Sequence, residues 1–227
     1  STLHRCAATY EQDGYKGGIN LDTNDRLCLD GQRLIPLNGS TYWGATEYRT
    51  EIENFTKIIS YGNQGGGPAY FRAWNKAGQV IEFGVTADAR IEAQGKSVVL
   101  AWPMNKIQDT SGNYLTVSYT ENNAAGEYYP ARIDYTGNVT TGLAPTRSVQ
   151  FVYAARPDVE TSYINGSRSQ TSQRLSGVRT FVGAGLVRAV LQEGAEVAFF
   201  YLRSVEAAER LCEDMADRYP DQRCLAM

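Results

Sequence analysis

The chain has 227 residues, enough for one sizeable domain or for a domain with an appendage. Hydrophobic residues make up 42% and charged residues 21%, while 15 tyrosines and 22 glycines favour strands and turns. The net charge of −3 comes entirely from residues 188–227, which hold five arginines and eight acids and leave 17 charges of each sign elsewhere. This balance lacks the basic stripe of a nucleic-acid-binding protein, so we expect no nucleic-acid partner.

The lengths of the apolar runs and the N-terminal sequence were compared with those of membrane spans and signal peptides. No apolar run reaches the roughly 20 residues of a membrane span, so no membrane span is predicted. The first ten residues, STLHRCAATY, lack the apolar core of a signal peptide, so no export signal is expected in this chain.

The cysteines form two local pairs, Cys6 with Cys28 and Cys212 with Cys224. Their spacings match no zinc motif, and the chain has a single histidine, so we expect no metal site. Each pair is compatible with a disulfide in an exported protein and with two thiols otherwise.

Short alternating runs separated by turn residues dominate from residue 58 onward. The segment Ala69–Gly84 reads as two strands around Lys76-Ala77-Gly78, which predicts a hairpin. In the strand near residue 117, Leu115, Val117 and Tyr119 share one face. We therefore predict a mainly β fold, an antiparallel meander of hairpins, with a short α/β C-terminal tail.

The pattern also predicts three segments. Residues 1–57 form a loop-rich and strand segment, residues 58–180 form the antiparallel β-hairpin region, and residues 181–227 form a helix–strand–helix tail. The tail differs from the rest in composition, with helix formers and charge in place of glycine and tyrosine. This change predicts a junction near residues 178–188, where a piece of an unrelated gene is joined.

Residues from about 6 to 180 resemble the Rhs/YD-repeat proteins of bacteria, specifically the secreted toxin type with an SpvB/TcaC-like region. The resemblance rests on GINLDTNDRLCLDGQRLIPL, FRAWNKAGQVIEFG, SVQFVYAARPDV and, most specifically, YPARIDYTGN. It implies long β-sheets that build a shell around a toxic payload, and a secreted or cell-surface location. Our leading hypothesis is a non-enzymatic shell or scaffold segment that self-associates through exposed strand edges.

The tail resembles a fragment of a short-chain dehydrogenase, with the strand EVAFFYL followed by the helix SVEAAERLCEDMADRYP. Ser204 fits a helix N-cap, and Ala207, Ala208, Leu211 and Met215 form an apolar stripe. The glycine-rich turn of that family is incomplete in VGAGLVRA, and no lysine follows Lys106 to complete a Tyr-x-x-x-Lys site. We therefore expect no cofactor.

The alternative hypothesis is a small carbohydrate-active hydrolase of the glycosidase type. Glycosidases use two carboxyl groups and aromatic platforms for sugar rings. Under this alternative the carboxylates are predicted to come from the catalytic residues Glu47, Glu51 and Glu53, and carbohydrate is bound by Trp43, Tyr48 and Trp74. The competing structural interpretation is that the acids form cross-strand charge pairs and that the aromatic residues lie in the core.

Overall fold

The computed structural model describes residues 1–37, 45–181, 191, 197–199, 205–221 and 223–226. Two short helical elements precede the tail, namely α1 (Tyr10–Asp13) and a 3-10 turn (Ala87–Ala89). The first nine strands are β1 (Thr2–Cys6), β2 (Arg26–Leu29), β3 (Gln32–Pro36), β4 (Glu47–Thr50), β5 (Lys57–Tyr61), β6 (Tyr70–Trp74), β7 (Val80–Phe83), β8 (Ile91–Glu92) and β9 (Val99–Gln108). The next four are β10 (Asn113–Asn122), β11 (Glu127–Asn138), β12 (Arg147–Ile164) and β13 (Ser167–Phe181).

Eight of these strands close into a ring. The pairing order runs from β1 through β7 to β9, and β9 pairs in turn with β1, where Leu3 lies opposite Trp102. All the pairings in the ring are antiparallel, and β8 adds a short pairing to β9. The predicted hairpin around Lys76-Ala77-Gly78 is confirmed as β6 and β7. The expectation of a mainly antiparallel β fold is therefore confirmed.

The interior of the ring is filled by apolar side chains. In β1, β5 and β6 buried and partly exposed residues alternate, as the two-residue period of a strand requires. The inward side chains form one cluster with none of its members exposed to solvent: Leu3, Leu27, Leu34, Tyr48, Ile58, Phe71, Ala73, Phe83, Val99 and Trp102. The ring is thus a packed core and not a channel.

A disulfide and a buried ion pair fasten β1 within the ring. Cys6 and Cys28 are bonded across β1 and β2, which resolves the first cysteine pair as a disulfide. The Arg5 guanidinium donates to Asp25 at 2.9 Å and to the carbonyl oxygen of Val99 at 2.7 Å, and both charged side chains are fully buried. A buried charge is tolerated only when it is paired in this way.

The sheet continues beyond the ring as long hairpins. β9 pairs with β10, and β10 to β13 follow in order as antiparallel neighbours. The β12–β13 hairpin, which we call the arm, has an irregularity between Ala155 and Glu160, where β12 carries extra residues relative to β13. Such a bulge bends a strand. The tip of the arm lies against the ring, since Lys96 Nζ donates to the carbonyl oxygen of Asn165 at 2.8 Å.

The tail contains two short parallel strands and a helix: β14 (Val197–Phe199), α2 (Val205–Arg218) and β15 (Cys224–Ala226). Of the predicted apolar stripe, Ala208, Leu211 and Met215 are buried in a separate small core. The inclusion of Ala207 was wrong, because this residue is exposed on the helix. Ser204 lies outside the described residues. None of the described helices is long and apolar enough to cross a membrane.

Candidate functional site

Glu47, the first of the predicted catalytic acids, lies on the outer face of β4. Its carboxylate is 3.0 Å from the Arg49 guanidinium and 3.4 Å from the Lys57 ammonium. Two cations therefore share one carboxylate on a partly exposed sheet surface. The contact with Lys57 of β5 corresponds to the cross-strand charge pairing expected of an exposed strand, whereas Arg49 lies two residues along β4 itself.

Glu51 and Glu53 follow β4 and are exposed to solvent. The side chain of Glu53 accepts a hydrogen bond of 2.5 Å from the backbone amide of Phe55, which closes a local turn. The described contact of the Glu53 carboxylate is therefore a local one, and the catalytic assignment of both residues stays a prediction.

The aromatic residues predicted to bind sugar rings differ in where they lie. Tyr48 was expected to offer its ring to a substrate, but it is 0% exposed and packs against Phe71 in the ring core. That part of the prediction was wrong, because inward and outward positions alternate along β4 and Tyr48 takes an inward one. Trp74 lies on the outer face, with Lys57 Nζ 5.9 Å from its ring centroid. Trp43 lies outside the described residues.

The outer face of β5 and β6 carries a ladder of aromatic and cationic side chains. Tyr61 and Tyr70 stack with their ring centroids 5.1 Å apart, and the Arg72 guanidinium lies 5.8 and 5.7 Å from the two rings. Arg72 also contacts Glu82 of β7 at 3.0 Å. Apart from the Arg72–Tyr70 contact within β6, these are cross-strand pairs that stabilise the sheet.

A carboxyl cluster that the sequence analysis missed lies where the ring meets the hairpins. It consists of Asp88 in the 3-10 turn, Glu92 of β8 and Glu121 of β10. Asp88 accepts a hydrogen bond of 2.7 Å from the backbone amide of Tyr119, which joins the turn to β10. Gln64 donates to the Glu92 carboxylate at 2.7 Å.

The cluster changes the protonation of one of its members. Burial raises the pKa of Glu121 to about 7, and the negative charges of Glu92 and Asp88 act in the same direction. Two neighbouring carboxyl groups avoid carrying two charges when one of them keeps its proton. The carboxyl cluster therefore changes its charge near neutral pH.

A signal for this cluster was present in the sequence. Leu115, Val117 and Tyr119 share one face of β10, and Glu121 is the next residue on that face. An acid in phase with an apolar face predicts a partly buried carboxyl group. Its partner Glu92 is 29 positions away in a strand of two residues, which no local pattern reveals.

Glu127 joins the β10–β11 hairpin to the arm. Its carboxylate accepts hydrogen bonds from the Tyr129 hydroxyl at 2.7 Å, from the Ser172 amide at 3.0 Å and from the Ser172 hydroxyl at 2.9 Å. Burial alone would raise the pKa of Glu127, but these hydrogen bonds outweigh it and the pKa is lowered. Close by, Gly126 has φ of +68°, and a Cβ there would collide with the carbonyl oxygen of Arg168.

Beyond these contacts, β13 presents what we call the edge segment, Arg174–Val178. All of its residues except Gly177 are exposed, and the side chains of Leu175 and Val178 are each 52% exposed. In the part of the chain that the structure describes, β12 is the one strand that pairs with β13. The edge segment thus combines unpaired strand edge with exposed apolar side chains, a combination typical of strand-addition sites.

Among the described residues, the carboxyl cluster included, no group of three or more His, Cys, Asp or Glu side chains is arranged to hold an ion.

Comparisons with known proteins identify the family. The family model described as "SpvB: Salmonella virulence plasmid 65kDa B protein" matches residues 19–166, about two thirds of the chain. A comparison with curated protein sequences found no relative. The comparisons give no support to the resemblance between the tail and a dehydrogenase.

Solved structures share the fold. The N-terminal domain of the effector protein SpvB from Salmonella typhimurium strain LT2 is 17% identical with a TM-score of 0.61, over 79% of this chain and 74% of that one. The TcdB2-TccC3 crystal structure is 16% identical with a TM-score of 0.63, over 83% of this chain and 12% of that one. A Tc holotoxin pore from Photorhabdus luminescens is 17% identical with a TM-score of 0.59, over 79% of this chain and 11% of that one.

This chain thus spans about a tenth of the length of the two toxin chains and about three quarters of the SpvB domain. The likeness to these structures concerns the fold. The sequence match runs from β2 to β12, which includes seven of the eight ring strands, and it is what assigns the chain: it belongs to the SpvB family.

Proposed function

We propose that this chain is a non-enzymatic structural segment of a secreted, toxin-related bacterial protein. In this proposal the ring is a stable base, and the hairpins β10 to β13 extend a sheet that further strands join. The observation that carries it is the edge segment, Arg174–Val178, in β13, which ends the continuous sheet among the described residues. An exposed strand edge with apolar side chains is a template for another strand.

Membership of the SpvB family and the names of the solved relatives support the toxin-related and secreted parts of the proposal. The relatives are described as an effector protein and as parts of Tc toxin assemblies. The Cys6–Cys28 disulfide also supports export, because disulfides form and persist in oxidising compartments.

The partner that we propose for the edge segment is a second copy of the chain. Two features limit how far such pairing extends. Arg174 places a charge at one end of the segment, and Ser176 forms a bulge, because Val152 pairs with Gly177 and Tyr153 pairs with Leu175. Charges and bulges on edge strands oppose open-ended pairing. We therefore expect a dimer and not a filament.

Sedimentation velocity over a range of concentrations tests this proposal. The wild-type chain is expected to form a reversible dimer, and the double variant Leu175→Lys, Val178→Lys is expected to stay monomeric, since lysines on an edge oppose strand pairing. The matched control is Leu143→Lys, Val139→Lys, whose side chains are exposed to nearly the same extent, 50% and 46%, outside the edge segment. A wild-type chain that stays monomeric at high concentration contradicts the proposal, as does equal loss of dimer in the control.

A further inference from the structure

The second pair of cysteines meets in the tail. Cys212 on α2 and Cys224 on β15 have their Sγ atoms 2.8 Å apart, and both are partly buried. The chain has four cysteines, and the other two are already joined as Cys6–Cys28. Each of these thiols therefore has the other as its nearest possible partner for oxidation.

We propose that Cys212 and Cys224 form a second disulfide that fastens helix α2 to strand β15. The helix already packs on the strand through the small core of the tail, and both cysteines are in contact with that core. Because the sulfur atoms are in contact, the bond forms with little movement of the backbone.

The reaction needs an external acceptor for two electrons, for which a small-molecule disulfide such as oxidised glutathione is sufficient. A thiolate of one cysteine attacks the glutathione disulfide, forms a mixed disulfide and releases one glutathione thiolate. The second cysteine, after losing its proton, attacks the protein sulfur of the mixed disulfide and releases the second glutathione. One S–S bond is thus exchanged for another, and the glutathione disulfide is reduced to two thiols.

The surroundings of Cys224 affect the rate at which its thiol reacts with glutathione disulfide. Burial raises the pKa of the Cys224 thiol to about 12, and the neighbouring Cys212 adds to the rise. Since the thiolate is the reactive species, Cys224 reacts slowly as a free thiol with external reagents. Contact with Cys212 makes the closing step intramolecular, which favours the cross-link over a lasting glutathione adduct.

Intact mass measurement and peptide mapping of the full chain provide the test. The purified chain is incubated with oxidised glutathione, unfolded and labelled with a maleimide. We expect two labels per chain before oxidation and none after it. Trypsin should then release residues 211–218 linked to residues 224–227, and reducing agent should separate the two peptides. Two thiols that remain labelled, a separate glutathione on each cysteine, or a bond to another chain would overturn the proposal.

Single variants test whether the bond forms between Cys212 and Cys224, and proteolysis tests whether it holds helix α2 in place. Cys212→Ser and Cys224→Ser, each checked for an unchanged circular dichroism spectrum, should lack the linked peptide and keep at most one glutathione. Oxidation of the wild-type chain should slow cleavage after Arg218 about tenfold, because a short disulfide loop restricts local opening. Cleavage that is equally fast in the oxidised and reduced chains would show that the bond does not fasten the helix.

Discussion

Glu121→Gln should make the protein more stable above neutral pH and leave it almost unchanged at pH 5. The pKa of Glu121 is raised in the folded chain from 4.5 to about 7. The folded state therefore holds a proton that the unfolded state has released between these two values. The stability that this group contributes is present below pH 4.5 and is lost as the pH rises through 7. Glutamine keeps the neutral, hydrogen-bonding form at every pH.

The expected gain in the free energy of unfolding of Glu121→Gln follows from the same difference in pKa. A rise from 4.5 to about 7 corresponds to an upper bound of about 3 kcal/mol in the free energy of unfolding. The side chain is only partly buried, so solvent screens the repulsion from Glu92 and Asp88. We therefore expect a gain of about 1 to 2 kcal/mol for the variant at pH 8.

Urea unfolding at pH 5 and pH 8, followed by tryptophan fluorescence, measures this difference. The matched control is Glu51→Gln, an exposed carboxylate on the loop after β4 that lies outside the carboxyl cluster. A Glu121→Gln variant that is destabilised at pH 8, or that behaves as the control does, would refute the argument that the carboxyl cluster strains the folded state.

Three further sets of substitutions test the ion pair, the disulfide and the hydrogen bonds that hold the ring and the hairpins together. Arg5→Leu should destabilise the ring by about 3 to 5 kcal/mol, because it leaves the fully buried carboxylate of Asp25 without its ion pair, as urea unfolding would show. Cys6→Ala together with Cys28→Ala should cost about 3 kcal/mol, since the disulfide closes a loop with a separation of 22 residues, and reduction of the wild-type chain should reproduce that loss. Glu127→Gln should destabilise the chain by about 1 to 3 kcal/mol at pH 7, because the folded state holds the carboxylate form. The difference should shrink as the pH falls below 4.5, because the unfolded chain takes up a proton at this group before the folded chain does, and an equal difference at pH 3.5 would contradict this.

Local features of the sequence predicted much of the sheet. The Lys76-Ala77-Gly78 turn between two alternating runs identified the β6–β7 hairpin, because turn chemistry and strand period are both local. The closure of the ring was not predictable in the same way. It depends on the pairing of Leu3 with Trp102, and nothing in either segment specifies the other.

In the candidate site, too, some placements follow from the local sequence pattern and others depend on contacts between distant segments. Glu47 and Tyr48 are neighbours in β4, so the two-residue period of a strand already places them on opposite faces and argues against a shared site. The raised pKa of Glu121 depends instead on its burial and on the nearby charge of Glu92, which arise only in the folded sheet. Sequence pattern indicated on which face Glu121 lies, but not the residue that it meets.

Hydrogen–deuterium exchange across the edge segment, compared between dilute and concentrated protein, shows whether this strand edge pairs with a second copy of the chain. If the edge segment pairs with a second copy, the amides of Arg174–Val178 should exchange more slowly in the concentrated sample, while the amides of the exposed turn at residues 139–144 keep their rate. The Leu175→Lys, Val178→Lys variant should show no such slowing. Protection that appears elsewhere, or exchange in the edge segment that is independent of concentration, would contradict a scaffold that assembles through β13.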